Sequence, residues 1–211
     1  MPLKGIIFLA LLTLTAACGG SSNDSTTTPT IAPVSEVQDP EKPVTFKIEG
    51  TSAIMVGVID ASTITAVESL IANSPDVVKI IMKNVPGSMD DASNVIAARL
   101  IRASGKFTTH VPADGVVASG GTDFFLAGTN RTAKKGAQFG VHAWADDTGV
   151  IPKDLPRTAI QHKIYLDYYQ EMGIPEDFYW FTLEAAPASS IYNMTEDELN
   201  LYNVLTEALE Q

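Results

Sequence analysis

Residues Val77 to Met82 (VVKIIM) form an apolar run broken by a single lysine, the pattern of a strand buried on both faces. Such strands belong to parallel sheets covered by helices, and the following residues fit that demand. A turn at Asn84-Val85-Pro86-Gly87-Ser88 leads to a helix over Asp90 to Ser104. This helix is acidic at its start and basic near its end (Arg99, Arg102), which suits the helix dipole, and Gly105 closes it. Lys106 to Val111 is the next strand. The order then repeats: Val116-Val117, the turn Ser119-Gly120-Gly121, a short helix through Leu126, and a strand over Gln138 to Trp144. Alternation of this kind predicts βαβ units and an α/β fold with a mostly parallel sheet.

The flanks complete the domain. Val44 to Ile48 and Ala53 to Val58 read as short strands. Asp60 to Asn73 reads as a helix capped by Asp60, Ser62 or Thr63, with Val67, Leu70 and Ile71 on one face. After Asp146 the pattern turns helical, with expected helices at Pro156 to Met172, Pro175 to Ala185 and Thr195 to Leu209. The last opens with a capping box, Thr195 to Glu198. Residues 44–211 suffice for one domain with its own core.

The first 17 residues read as an export signal: Lys4, an apolar run over Ile6 to Leu14, then Thr15-Ala16-Ala17 before Cys18. That run is shorter than the roughly 20 residues a spanning helix needs. Leu-Thr-Ala-Ala-Cys-Gly resembles a bacterial lipobox, which makes Cys18 the expected lipidation site. Gly19, not aspartate, follows it, the pattern of lipoproteins sorted to an outer membrane and facing the periplasm. Cys18 is the only cysteine, so no intramolecular disulfide is possible. Residues 18–43, rich in Ser, Thr, Pro and Gly, read as a tether with an end-to-end reach on the order of 25–30 Å. The membrane contact expected is this anchor alone. With 25 acidic against 14 basic residues and a net charge of -11, the chain lacks the basic stripe that nucleic acid requires.

Ser119 and His142 are the candidates for chemistry. A serine hydroxyl becomes a nucleophile when a base within hydrogen-bond reach takes its proton. At the first turn of a helix it gains unpaired backbone N–H groups, aimed where an oxyanion develops. Gly120 is the natural first donor, and the turn at Gly87-Ser88 ends a parallel strand at the same sheet edge. His142 is the histidine that the topology brings toward Ser119. Val117 occupies the first glycine position of G-x-S-x-G, so the nucleophile-elbow pattern is not met. His110, His142 and His162 have no metal-ligand spacing, and there is no P-loop or dinucleotide fingerprint. No metal and no cofactor is expected. His162 is expected to face solvent or a partner groove, and Asp123 and Asp90-Asp91 to serve helix N-termini. Trp144, Phe178, Tyr179, Trp180 and Phe181 are expected in the core, with a substrate cleft as the alternative.

The segment NVPGSMDDASNVIAARLIRASGKFTTHVPADGVVASGGTDFFLAGTNRTAKKGAQFGVHAW resembles the central region of the Clp protease/crotonase superfamily. Closer still, it resembles exported Clp-protease-like proteins of the lipoprotein type that are labelled hydrolases. The resemblance implies repeated ββα units, a mostly parallel sheet and C-terminal helices. It implies Ser119 as nucleophile and His142 as general base, with Gly120 and the Gly87/Ser88 turn as oxyanion donors. An acid orienting the base is implied in the loop before the last helix, where APASSIYNMT offers none. Ser189 stands at that position, and Asp177 or Glu184 from the preceding helix are the alternatives. The activity implied is hydrolysis of a peptide or ester through an acyl-enzyme, by a chain that assembles into trimers or hexamers. The alternative is a catalytically silent module that binds a peptide, a cell-wall fragment or a protein partner.

Overall fold

The computed structural model describes residues 41–146 and 148–211. The expected signal segment, Cys18 and nearly all of the tether lie outside the described residues, as does Asp147.

The buried apolar run becomes a longer strand than its hydrophobicity marks. β1 (Thr45–Glu49) and β2 (Ser52–Val56) form a hairpin, and β3 (Lys79–Val85) runs parallel to β2, continuing through residues expected to be turn. β4 (Thr108–Val111), β5 (Val116–Ala118), β6 (Asn130–Ala133), β7 (Gln138–Val141) and the two-residue β8 (Tyr192–Asn193) complete an eight-stranded sheet. Among the described residues, only the β1–β2 and β7–β8 pairings are antiparallel.

The sheet forks at β3. Its first residues pair with β4 (Lys79 opposite Thr108, Ile81 opposite His110), and its last two pair with β5 (Asn84 opposite Val116, Val85 opposite Val117). One branch continues from β4 to β6 and the other from β5 to β7. Short strands feeding two branches from one long strand produce the repeated units expected, with the branch carrying β5 and β7 free to build a site at its carboxyl end.

Helices follow the capping chemistry. α1 (Ser62–Asn73) starts two residues later than expected, because Asp60 folds its carboxylate onto the Ser62 N–H (2.9 Å) and Oγ (2.6 Å). α2 (Asp91–Ser104) is capped by Asp90, which accepts from the Ser93 N–H at 3.1 Å, and ends on Gly105 at φ 69°. Arg99 and Arg102 are tertiary clamps as well as dipole partners. Arg99 pairs with Glu171 at 2.6 Å, and Arg102 donates to the Gly128 and Met172 carbonyls. α3 (Gly120–Phe125) links β5 to β6 and packs against α2.

The C-terminal part departs most from expectation. After a 3₁₀ turn at Pro152–Asp154, the helix expected over Pro156 to Met172 is a second 3₁₀ turn, Ile160–His162, followed by α4 (Lys163–Met172). α5 (Glu176–Ala185) matches. α6 (Glu196–Leu201) has its capping box but ends eight residues early. Asn203 adopts φ 55° and the Val204 N–H reaches back to the Leu199 carbonyl, a left-handed helix stop. The chain then runs along β6. The buried Arg131 side chain donates to the carbonyls of Asn203 and Val204, each at 2.8 Å, and the Glu210 N–H donates to the Ala133 carbonyl.

Candidate active site

Ser119 is the residue between β5 and α3. Its N–H donates to the Gly140 carbonyl at 2.9 Å, which continues the β5–β7 ladder for one more bond, and the chain then turns abruptly into the helix. The turn puts Ser119 at φ 51°, ψ -129°. A side-chain-bearing residue avoids that region, and such strain persists where the surroundings enforce it, often at working residues. The elbow that the G-x-S-x-G pattern would have announced is therefore present without its first glycine.

Two backbone segments flank the serine with unpaired donors. Gly120 opens α3, so its N–H has no intrahelical acceptor. The turn after β3 is tied to Ile59, whose N–H donates to the Gly87 carbonyl (2.9 Å) and whose carbonyl accepts from Met89 (2.8 Å). Among the described residues, no carbonyl or side chain accepts from the N–H groups of Gly87, Ser88 or Gly120. A methyl group added at Gly87 would stand 3.4 Å from Ser119 Cβ and 3.8 Å from its Oγ, so the turn lies directly against the serine. Asn94, buried on α2, donates to the Gly120 carbonyl at 2.9 Å and fixes the first peptide of α3.

His142 follows the last residue of β7. Its Nδ1 lies 2.7 Å from the Ala143 carbonyl oxygen. Carbonyls only accept, so Nδ1 carries the proton and Nε2 keeps the basic lone pair. Ser119 and His142 line one cavity of about 510 Å³. No hydrogen bond joins them.

Neither proposed orienting acid reaches the histidine. Ser189 is exposed and bonds nothing on His142, and Glu184 is exposed on α5. Asp177 is exposed too, and lines a separate groove with Trp180, Phe181 and Leu201. The Ala143 carbonyl takes that place, fixing the tautomer without supplying a full negative charge.

Other expectations change as well. His162 is fully buried, not solvent-facing, with Nδ1 2.6 Å from the Tyr179 hydroxyl. His110 is buried beside Thr132 at 2.8 Å, and desolvation lowers its pKa. Among the described residues no cluster of side chains could hold a metal ion. Asp146 accepts from the Thr148 N–H and hydroxyl in an exposed turn, as a solvated loop residue does. Trp144 and Tyr179 line the Ser119 cavity, while Phe178 is in the core. Trp144 stacks on Tyr165 and Tyr165 on Tyr179, both at 13° between ring planes, and the Trp144 indole donates to the Tyr179 hydroxyl at 2.8 Å.

Asp91 and Asp123 are the residues sequence reasoning assigned elsewhere. Asp90 does the capping expected of the pair, whereas Asp91 turns into the cavity and accepts from the Ser88 and Tyr165 hydroxyls. Asp123 lies in the first turn of α3, as expected, but makes no capping hydrogen bond there. Its carboxyl also lines the cavity and accepts from the Tyr169 hydroxyl at 2.7 Å. Burial pushes this carboxyl up to about 7, against the Tyr169 hydrogen bond, and the charge of Asp91 adds to the rise. The signal was the spacing: Asp123 lies one helical turn after Ser119.

No family model matches the chain, and no curated protein matches it. Solved structures do. The ClpP protease catalytic domain from Plasmodium falciparum superposes with a TM-score of 0.50 at 13% identity, covering 73% of this chain and 85% of its own. An enoyl-CoA hydratase from Polaromonas sp. JS666 superposes at 0.49 and 12% identity, covering 80% of this chain and 71% of its own. At 13% identity the ClpP superposition carries the architecture and nothing of the chemistry. The forked, mostly parallel sheet with its helices is the Clp protease/crotonase fold.

Proposed function

We propose that the chain is an exported serine hydrolase of peptidase or esterase type, working through Ser119 and His142. The observation that carries this reading is the strained Ser119 elbow, which points a hydroxyl into a cavity shared with His142 and flanked by unpaired N–H groups. In the first step Ser119 Oγ bonds to the substrate carbonyl carbon while its proton passes to His142 Nε2. The oxyanion forms against the N–H groups of Gly120 and the Gly87/Ser88 turn, where one donor is worth about 10²–10³ in kcat. Collapse of that intermediate leaves an acyl group on Ser119, which water removes.

A fluorophosphonate probe tests the proposal. Wild type is expected to be labelled, Ser119→Ala to be unlabelled, and His142→Ala to be labelled about 10²–10⁴-fold more slowly. One observation favours a second reading, a silent module that binds a peptide, a cell-wall fragment or a protein: Ser119 and His142 share no hydrogen bond. Folded wild type that resists the probe would establish that reading over the hydrolase.

The lipobox-like segment supports placing the protein on an envelope membrane through Cys18. Cys18→Ser is expected to release the protein from the membrane fraction without changing its fold. Continued membrane association of that variant would remove the anchor from the proposal.

A further inference from the structure

The two carboxyl groups behind Ser119 have unequal surroundings. Asp91 receives a hydroxyl donor on each oxygen, from Ser88 and from Tyr165 (the latter at 2.7 Å). Asp123 receives one, from Tyr169 on Oδ1, and no described residue donates to Oδ2. Burial disfavours the charged form of a carboxyl, a nearby negative charge disfavours it further, and each hydroxyl donor opposes both, so a buried carboxyl with few donors keeps its proton. Asp123 is such a group, and its carboxyl is accordingly pushed up to about 7, by burial first.

Its position gives that proton a destination. Asp123 stands four residues after Ser119, so the two are ~6 Å apart along the axis of α3. Helical side chains lean toward the helix N-terminus, which directs the carboxyl back toward the serine. A carbonyl carbon bonded to Oγ, with its departing atom beyond it, spans that gap.

We propose that Asp123 is the acid that protonates the leaving group, so that the site divides its protons between two carriers. The inference rests on the hydrolase reading. In acylation Oγ–C forms, the serine proton moves to His142, the C–X bond breaks, and X leaves with the Asp123 proton. In deacylation water attacks the acyl carbon and gives one proton to the Asp123 carboxylate. Ser119 Oγ then departs with the proton held on His142. Both carriers return to their starting states, and the acid product keeps the second hydrogen of water. Imidazolium formation in the first half also favours proton release from Asp123, because a cation lowers the pKa of a nearby carboxyl.

The titratable groups around Asp123 are Asp90 and Asp91 at the start of α2, Tyr165, Tyr168 and Tyr169 from α4, Tyr179 from α5, and His142 and Asp146 after β7. The acid must be protonated to act, so turnover of substrates with poor leaving groups falls as pH rises through about 7. Tyr169→Phe removes a bond to the anion and moves this alkaline limb up. Asp91→Asn removes a like charge and moves it down.

The test compares two esters of one acid. p-Nitrophenolate leaves without a proton, whereas ethoxide does not. Asp123→Asn is expected to lose about 10²-fold more kcat/KM on ethyl butyrate than on p-nitrophenyl butyrate, while fluorophosphonate still labels Ser119. Equal losses on both esters with labelling intact would overturn the role of Asp123 and leave the hydrolase standing. Absence of labelling in wild type would remove both. A carboxyl-carbon NMR titration of folded wild type reads the group without any substrate: a midpoint near 7 is expected for Asp123, and an ordinary aspartate value overturns the proposal.

Discussion

Replacing Ser119 by glycine is expected to give a protein that fluorophosphonate no longer labels and that melts above wild type. The hydroxyl is the proposed nucleophile, so its loss ends labelling whatever else changes. The stability gain has a separate origin. Ser119 holds φ 51°, ψ -129°, and a side chain there costs about 1–3 kcal/mol. Glycine relieves the strain but adds about 0.4–1 kcal/mol of unfolded-state entropy. The net gain is about 1 kcal/mol, or roughly 2–4 °C for a domain of this size. Ser119→Ala keeps the β-carbon and the strain, so it loses labelling without the rise in melting temperature. Thermal melts of the two variants side by side decide the matter. A glycine variant no more stable than the alanine variant shows that the elbow stores no strain.

Gly121→Ala is expected to destabilise the domain by about 3 kcal/mol or more, measured by chemical denaturation. An added methyl would overlap the Val85 carbonyl oxygen, which is backbone at the end of β3 and cannot swing aside. Val85 is also fixed by its pairing with Val117 on β5. Relief requires α3 to lift off the sheet, and α3 carries the Gly120 N–H. Labelling of Ser119 is therefore expected to fall about 10²-fold in whatever protein remains folded, since a displacement near 1 Å in a catalytic group has that effect. A loss below about 1 kcal/mol would mean that α3 is free to shift, and would weaken the case for a preorganised oxyanion site.

The parts of this molecule that the sequence reveals are those where local pattern and tertiary role agree. β2, β3, α1 and α2 announce themselves by apolar periodicity and caps, and the same residues fill the core. β6 does not, because Asn130-Arg131-Thr132-Ala133 earns its burial by polar bonding: Arg131 is sheltered by two carbonyls more than seventy positions away. α6 misleads for the same reason, since the residues after Leu201 have helical periodicity but are drawn onto β6. At the site, Ser119, Gly120, Gly87 and His142 could be proposed because each sits at the end of a recognisable element. The orienting group could not, being the carbonyl of Ala143, which any residue would supply. Asp123 was visible as a letter and unreadable as a role, because its meaning depends on Asp91 and Tyr169, brought in by two other helices.

The clasp on β6 has a consequence for how this protein is made. Arg131 and Val204, which bond at 2.8 Å, are 73 positions apart in the chain. Because the chain is delivered N-terminus first, β6 is present before residues 203–210, and until they arrive one edge of the strand and its guanidinium are uncovered. Pairings of such long range are slow to form, and an open strand edge invites other chains. The Ser119 elbow, one strand earlier in the chain and bonded to β7, can take shape while the sheet is still unfinished at its far branch. Biogenesis of this domain therefore ends at β6, where a chaperone has the most to protect.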